Sequence, residues 1–327
     1  MIKFFRQSYA IQYVVIALLA IALWIPAFIS GKMTMGLDEP VTPLFNVIDR
    51  LLGFSPILQH VLVFVLLVLE TLFFNAMLVK NQIVGKVSTM GAFVFLLLMS
   101  LTRTQTQFYP FILSSVFILL MINYLFDVYQ IQNPEMNLLK TGVCVALASM
   151  CYFPAMFLIV WVFVVLPVAK KGSLRLQLIP IFGFLFVYFV YFVCIYLFGD
   201  LPSVWAGYRD YFSTLPFSVS GFNLKVILLL AVLMVSTIFL LFGSSNANFE
   251  KTVAVRTKIS MTYILAAFAV LFLFMGSNVL MNGLVFIVLA ILISYAFSYI
   301  NNTGWANLFL ILFMIVVFAN HYYFKLM

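Results

Sequence analysis

Nine carboxylates and seventeen lysines and arginines are spread over 327 residues, so chemistry belongs where charged and hydrogen-bonding side chains gather. Asp38 and Glu39 are adjacent, in a stretch from Gly31 to Gly53 that also holds Asp49 and Arg50. An acid placed there could deprotonate an acceptor or hold a divalent cation, as general-base chemistry requires. The plainer reading is a solvated loop whose acids favour the start of a short helix. Arg209 and Asp210 stand among Trp205, Tyr208, Tyr211 and Phe212, side chains suited both to a membrane interface and to stacking on a sugar ring. Arg103 lies in Leu-Thr-Arg-Thr-Gln-Thr-Gln-Phe-Tyr-Pro. It reads as a lipid-headgroup anchor or, with its Thr and Gln neighbours donating hydrogen bonds, as a phosphate contact.

Glu70 is the one acid inside an apolar run. A charged carboxylate there costs a few kcal/mol, about 3 on insertion scales, so the group is expected to be protonated or paired within a helix bundle, with proton transport as the functional alternative. His60 and His321 fall at ends of apolar runs, where interfacial placement outweighs a metal site because no His spacing supports one.

The elements that must position these residues follow from composition. Hydrophobic residues make up 66% of the chain and charged ones 8%, more apolar surface than a soluble domain can hide, so lipid is the expected solvent. Apolar segments fall at 10–29, 57–79, 88–101, 111–126, 141–153, 155–169, 177–198, 224–243, 259–275, 283–299 and 305–320, leaving room for one membrane domain over 1–327. Nothing favours nucleic acid as a partner. The start, Met1-Ile-Lys-Phe-Phe-Arg6 before an apolar run, is read as an uncleaved first helix.

Basic residues set the sidedness. With a cytoplasmic N-terminus, Lys3, Arg6, Lys80, Lys86, Lys140, Lys170, Lys171, Arg175, Lys251, Arg256 and Lys258 collect inside, eleven of the seventeen. Five of the nine acids lie outside: Asp38, Glu39, Asp49, Asp200 and Asp210. The positive-inside rule supports this orientation and an external C-terminus. It holds only if 141–169 is two short helices, and Pro154 supplies the break by removing a donor and clashing with the preceding turn.

The resulting hairpins are short, and their tips, Phe108-Tyr109-Pro110 and Tyr152-Phe153-Pro154, repeat an aromatic-aromatic-Pro pattern. Pro43 to Leu52 carries apolar residues at 44, 45, 47, 48, 51 and 52, one face of a helix lying at the interface. Cys144, Cys151 and Cys194 all lie in apolar segments and predict no disulfide. Gly-rich phosphate loops, Cys-x-x-Cys pairs and Ser nucleophile elbows are absent from the sequence.

This pattern resembles the GT-C superfamily of polytopic membrane glycosyltransferases, which use polyprenyl-phosphate-linked sugars. The resemblance implies an all-α, polytopic transmembrane bundle of about eleven helices with short paired hairpins. It implies Asp38 or Glu39 as the catalytic acid, Arg103 and Arg209 as phosphate contacts, and Asp49 and Asp210 in support, with a divalent cation as a possible cofactor. The Tyr-Phe-Pro hairpin, basic turn and Leu-Ile-Pro helix also resemble a group of bacterial inner-membrane proteins of unassigned function. The alternatives are a non-catalytic subunit of a secretion or envelope assembly, which would bring membrane-protein partners, and a transporter.

Overall fold

A computed structural model describes residues 2–7, 9–30, 42–52, 55–85, 87–101, 108–199, 201–213, 234, 237, 252–273, 283–300, 303–320 and 322. Every regular element among them is helical: α1 (Ile2–Phe5), α2 (Ala10–Ser30), α3 (Pro43–Leu52), α4 (Pro56–Lys80), α5 (Met90–Met99), α6 (Pro110–Val128), α7 (Glu135–Cys151), a 3₁₀ turn (Phe153–Phe157), α8 (Leu158–Val168), α9 (Leu174–Phe198), α10 (Leu201–Ser213), α11 (Val253–Leu273), α12 (Leu284–Tyr299) and α13 (Thr303–Ala319). Ten of the eleven apolar segments are helices here, and of the remaining one, 224–243, only residues 234 and 237 are among those described. Among the described residues, four helices can cross a membrane by length and composition: Ile57–Lys80, Pro110–Val128, Leu174–Leu197 and Val253–Val270.

The break in 141–169 falls where proline puts it. Tyr152 leaves the helix in an extended conformation (φ −137°, ψ 103°), and Pro154 stands in the first turn of the 3₁₀ helix that follows. The helix before the break starts at Glu135, six residues ahead of the apolar segment, because Asn137 to Lys140 continue the helix beyond the hydrophobic run.

At the centre, α5 and α12 are buried on every side: all ten residues of α5, and Leu284 to Phe297 of α12. A helix apolar all round needs such a setting or lipid. Asn75 of α4 fixes the first turn of α5, accepting from Ala92 N at 3.2 Å and donating to Ser88 O at 3.1 Å. Helix N-termini leave orphan donors, and a buried side-chain amide satisfies one here. Gly91 lets this happen, since a Cβ there would come within 2.9 Å of Asn75 Oδ1.

Polar contacts sort the loops into two ends. At one, Arg6 donates to Phe297 O and Ile300 O, capping α12. Thr89 N reaches Phe5 O, and Lys80 pairs with Asp127 and Arg175 with Glu135. At the other, Phe45 stacks on Phe108, Phe111 meets Tyr152 edge-on, and Asn320 donates to Leu101 O. Among the described residues, Arg6, Lys80, Lys171, Arg175 and Lys258 thus gather at one end, and Asn320 makes its contact at the other.

Candidate functional site

At the end opposite the basic residues, the backbone leaving α7 in an extended conformation sends neighbouring side chains opposite ways. Tyr152 turns to Phe111, while Phe153 enters an aromatic cluster of Tyr208, Tyr211 and Phe212, with ring centroids 5.4, 4.7 and 5.5 Å away. Those three belong to α10, which starts after α9 ends at Gly199. Between α9, α10 and the Phe153 turn lies a cleft of about 420 Å³, with Tyr188, Phe192, Trp205 and Phe212 on its walls and Arg209 at its edge. Phe192 and Trp205 also border a second groove of about 540 Å³, walled by Phe189, Val193 and Tyr196. Sharing those two walls, the two grooves make up an apolar trough beside the face of α9 on which Phe182, Phe186, Phe189 and Tyr196 are exposed, with Arg209 among the residues lining it.

Hydroxyls line the inner side of the cleft. Ser149 donates to Ala146 O at 2.7 Å, so the 2.8 Å contact between Ser149 Oγ and Tyr188 Oη takes the tyrosine as donor. Burial pushes the Tyr208 phenol well above its ordinary value, and Tyr188 and Tyr191 add repulsion against its ionisation. At neutral pH the cleft therefore offers neutral hydroxyls, aromatic faces and one guanidinium. Such a set can hold a long apolar chain and pair an anionic group at its mouth.

The other sequence candidates fall in different places. Asp38, Glu39 and Arg103 lie outside the described residues, as does His321. Asp49 is on α3 and accepts from Gln59 Nε2 at 3.2 Å, and so does not simply face water, while Arg50 is exposed. Asp210 is exposed beside Arg209 on α10. His60 is buried in the second turn of α4, where the sequence reading places it at the interface. Among the described residues no three His, Cys, Asp or Glu side chains form a metal-binding group.

Glu70 is paired within the bundle, as its cost in lipid predicts. It is 3% exposed, and Ser115 Oγ on α6 lies 2.5 Å from its Oε1. Ser115 Oγ also lies 2.8 Å from Ile112 O. One hydroxyl proton cannot serve both acceptors fully, and the two contacts are satisfied together when the carboxyl carries the second proton.

Lys258, which the sequence groups with the cytoplasmic-side basic residues, carries a contact that charge counting does not reveal. It is fully buried near the start of α11, and its Nζ donates to Asn81 Oδ1 at 2.9 Å. Asn81 in turn donates to Met77 O at the end of α4. The signal that could have found it is the apolar pattern of α11, which runs from Val253 and carries Lys258 on the same face as the buried Val255, Met261 and Thr262.

No family model, curated protein or solved structure matches this chain.

Proposed function

We propose that this is a multi-pass protein of a bacterial inner membrane, with its N-terminus and basic end cytoplasmic, that handles a phosphate-bearing isoprenoid lipid at the outer leaflet. The observation that carries this reading is the trough between α9 and α10. Its apolar walls suit a chain arriving from the bilayer along α9, and Arg209 at its edge suits the phosphate. Ligand sites commonly combine apolar walls with a few placed polar groups. On this reading Arg103 joins Arg209 on the phosphate, and Asp38 or Glu39 acts on a sugar carried by that lipid, as base or cation ligand. The GT-C resemblance supports the same chemistry by analogy of architecture alone.

The test is binding of a fluorescent polyprenyl phosphate to the protein in nanodiscs. Arg209→Ala should weaken binding about tenfold, the loss of one charge-assisted contact worth about 1.4 kcal/mol, and Trp205→Ala should weaken the unphosphorylated polyprenol as well. Equal binding by wild type and both variants removes the trough from the reading. Purification with a stoichiometric protein partner and no lipid would favour the envelope-assembly subunit instead.

A further inference from the structure

A second cavity, of about 280 Å³, opens between α4 and α6, away from the α9–α10 trough. Leu66, Leu69 and Phe73 wall it from α4, and Val116, Leu119 and Leu120 from α6. Leu69 is 56% exposed, so the mouth faces the surroundings of the bundle, which on a membrane reading are lipid. The one polar side chain on its wall is Glu70. Its Oε1 is engaged with Ser115, whereas Oε2 is buried without a hydrogen-bond partner among the described residues.

We propose that this cavity is a binding site for an aliphatic amphiphile that carries one N–H or O–H donor, with Glu70 Oε2 as its anchor. Three observations point to that chemistry. The walls accept only an apolar body, because no other group there can hydrogen-bond. The carboxyl shares a proton with Ser115 through Oε1, which leaves Oε2 as an acceptor that calls for a donor. An unmet buried acceptor is costly, so a donor reaching it gains more than the same contact would in water. Glu70 lies ten residues before Lys80 at the end of α4, about 15 Å along the axis at 1.5 Å per residue. That depth disfavours a phosphate headgroup and suits an amine or alcohol dissolved in the bilayer.

The wild-type protein in nanodiscs supports a direct test with N,N′-dicyclohexylcarbodiimide, a lipid-soluble reagent for protonated carboxyls in apolar surroundings. The carboxyl proton moves to one carbodiimide nitrogen as a carboxyl oxygen bonds to the central carbon. The resulting O-acylisourea rearranges to a stable N-acylurea, nothing is lost, and peptide mass spectrometry reads the added mass at Glu70. Labelling at Glu70 should be slowed about tenfold by N,N-dimethyldecylamine, a tertiary amine that cannot form an amide with the activated carboxyl, or by decanol, corresponding to about 1.4 kcal/mol of binding, and left unchanged by decane. Stronger protection by N,N-dimethyldecylamine identifies an amine site, because a charge-assisted contact is the stronger one, and stronger protection by decanol identifies an alcohol site. Equal protection by decane, or a Glu70 that labels only after unfolding in detergent, overturns the proposal. Leu120→Trp, which fills the cavity from the α6 side, should abolish labelling at Glu70.

Discussion

Helices α5 and α9 are both apolar around their whole circumference, yet α5 is buried on every side while only 11% of the most apolar window of α9 is buried. Hydropathy alone does not separate them. The difference lies in polar fastening: α5 is ten residues long and its first turn is held by Asn75 and Ser88, whereas α9 is 25 residues long and lies chiefly against α7. The short helix has its exposed backbone ends satisfied by neighbours and so can sit inside the protein. The long one satisfies its own backbone over a length that spans a bilayer, and can leave most of its surface to lipid. The trough and Arg209 belong to this outer wing.

The strongest way to break the comparison is at the seam that holds the wing. A Cβ on Gly142 of α7 would come within 1.9 Å of Pro180 O on α9, and one on Gly183 within 2.5 Å of Leu139 O. Small residues let membrane helices approach this closely. Gly142→Ala should cost about 3 kcal/mol, the upper part of the range for overpacking, seen as a lower unfolding midpoint in detergent. A cost near zero would mean the wing is not held through this seam.

The central helix offers the next test. Asn75→Leu keeps the branched shape but strands Ala92 N–H and Ser88 C=O in the interior, and should cost about 2 kcal/mol. Tyr188→Phe in the wing removes a donor from Ser149, whose own proton already has Ala146 O, and should cost less than about 1 kcal/mol. Similar losses for the two would erase the contrast in fastening.

Much of this arrangement is legible in the sequence, for identifiable reasons. Proline geometry marks the break at Tyr152 and Pro154, and the apolar spacing of Pro43 to Leu52 marks α3. Intramembrane cost anticipates a partner for Glu70, though not which one, because Ser115 is 45 residues away and one serine among many. Lys258 escapes notice because its partner, Asn81, is 177 residues distant. The Arg209 cleft is only half legible: the aromatic run in α10 is visible, but the insertion of Phe153 between its rings depends on tertiary packing.

Glu70 also separates the stability of the bundle from its proposed ligand chemistry. Glu70→Leu removes the unpartnered Oε2 and leaves Ser115 with Ile112 O, so folding should change by less than about 1 kcal/mol. Thermal unfolding in detergent, without added amphiphile, reads this. A loss of several kcal/mol would show that the carboxyl fastens α4 to α6 rather than lining a ligand cavity.

A stabilising effect of similar small size is expected at two helix ends without glycine. Gln82 (φ 56°) and Lys170 (φ 58°) both adopt the left-handed conformation after α4 and α8. Each lies in the same closing pattern, with Ile83 N bonded to Leu78 O and Gln82 N to Val79 O, and with Lys171 N bonded to Leu166 O and Lys170 N to Pro167 O. Glycine is the residue usually found at this position, since a Cβ there meets the following carbonyl. Gln82→Gly and Lys170→Gly relieve that contact, at the expense of a more flexible unfolded chain. Each should therefore stabilise by about 0.5 to 1 kcal/mol. The two positions also sharpen the contrast between centre and wing: Gln82 closes a helix bound to the α5 core, while Lys170 closes the one that leads into α9. If only Gln82→Gly raises the unfolding midpoint, the wing frays before the centre unfolds, and its ends contribute nothing to the cooperative transition.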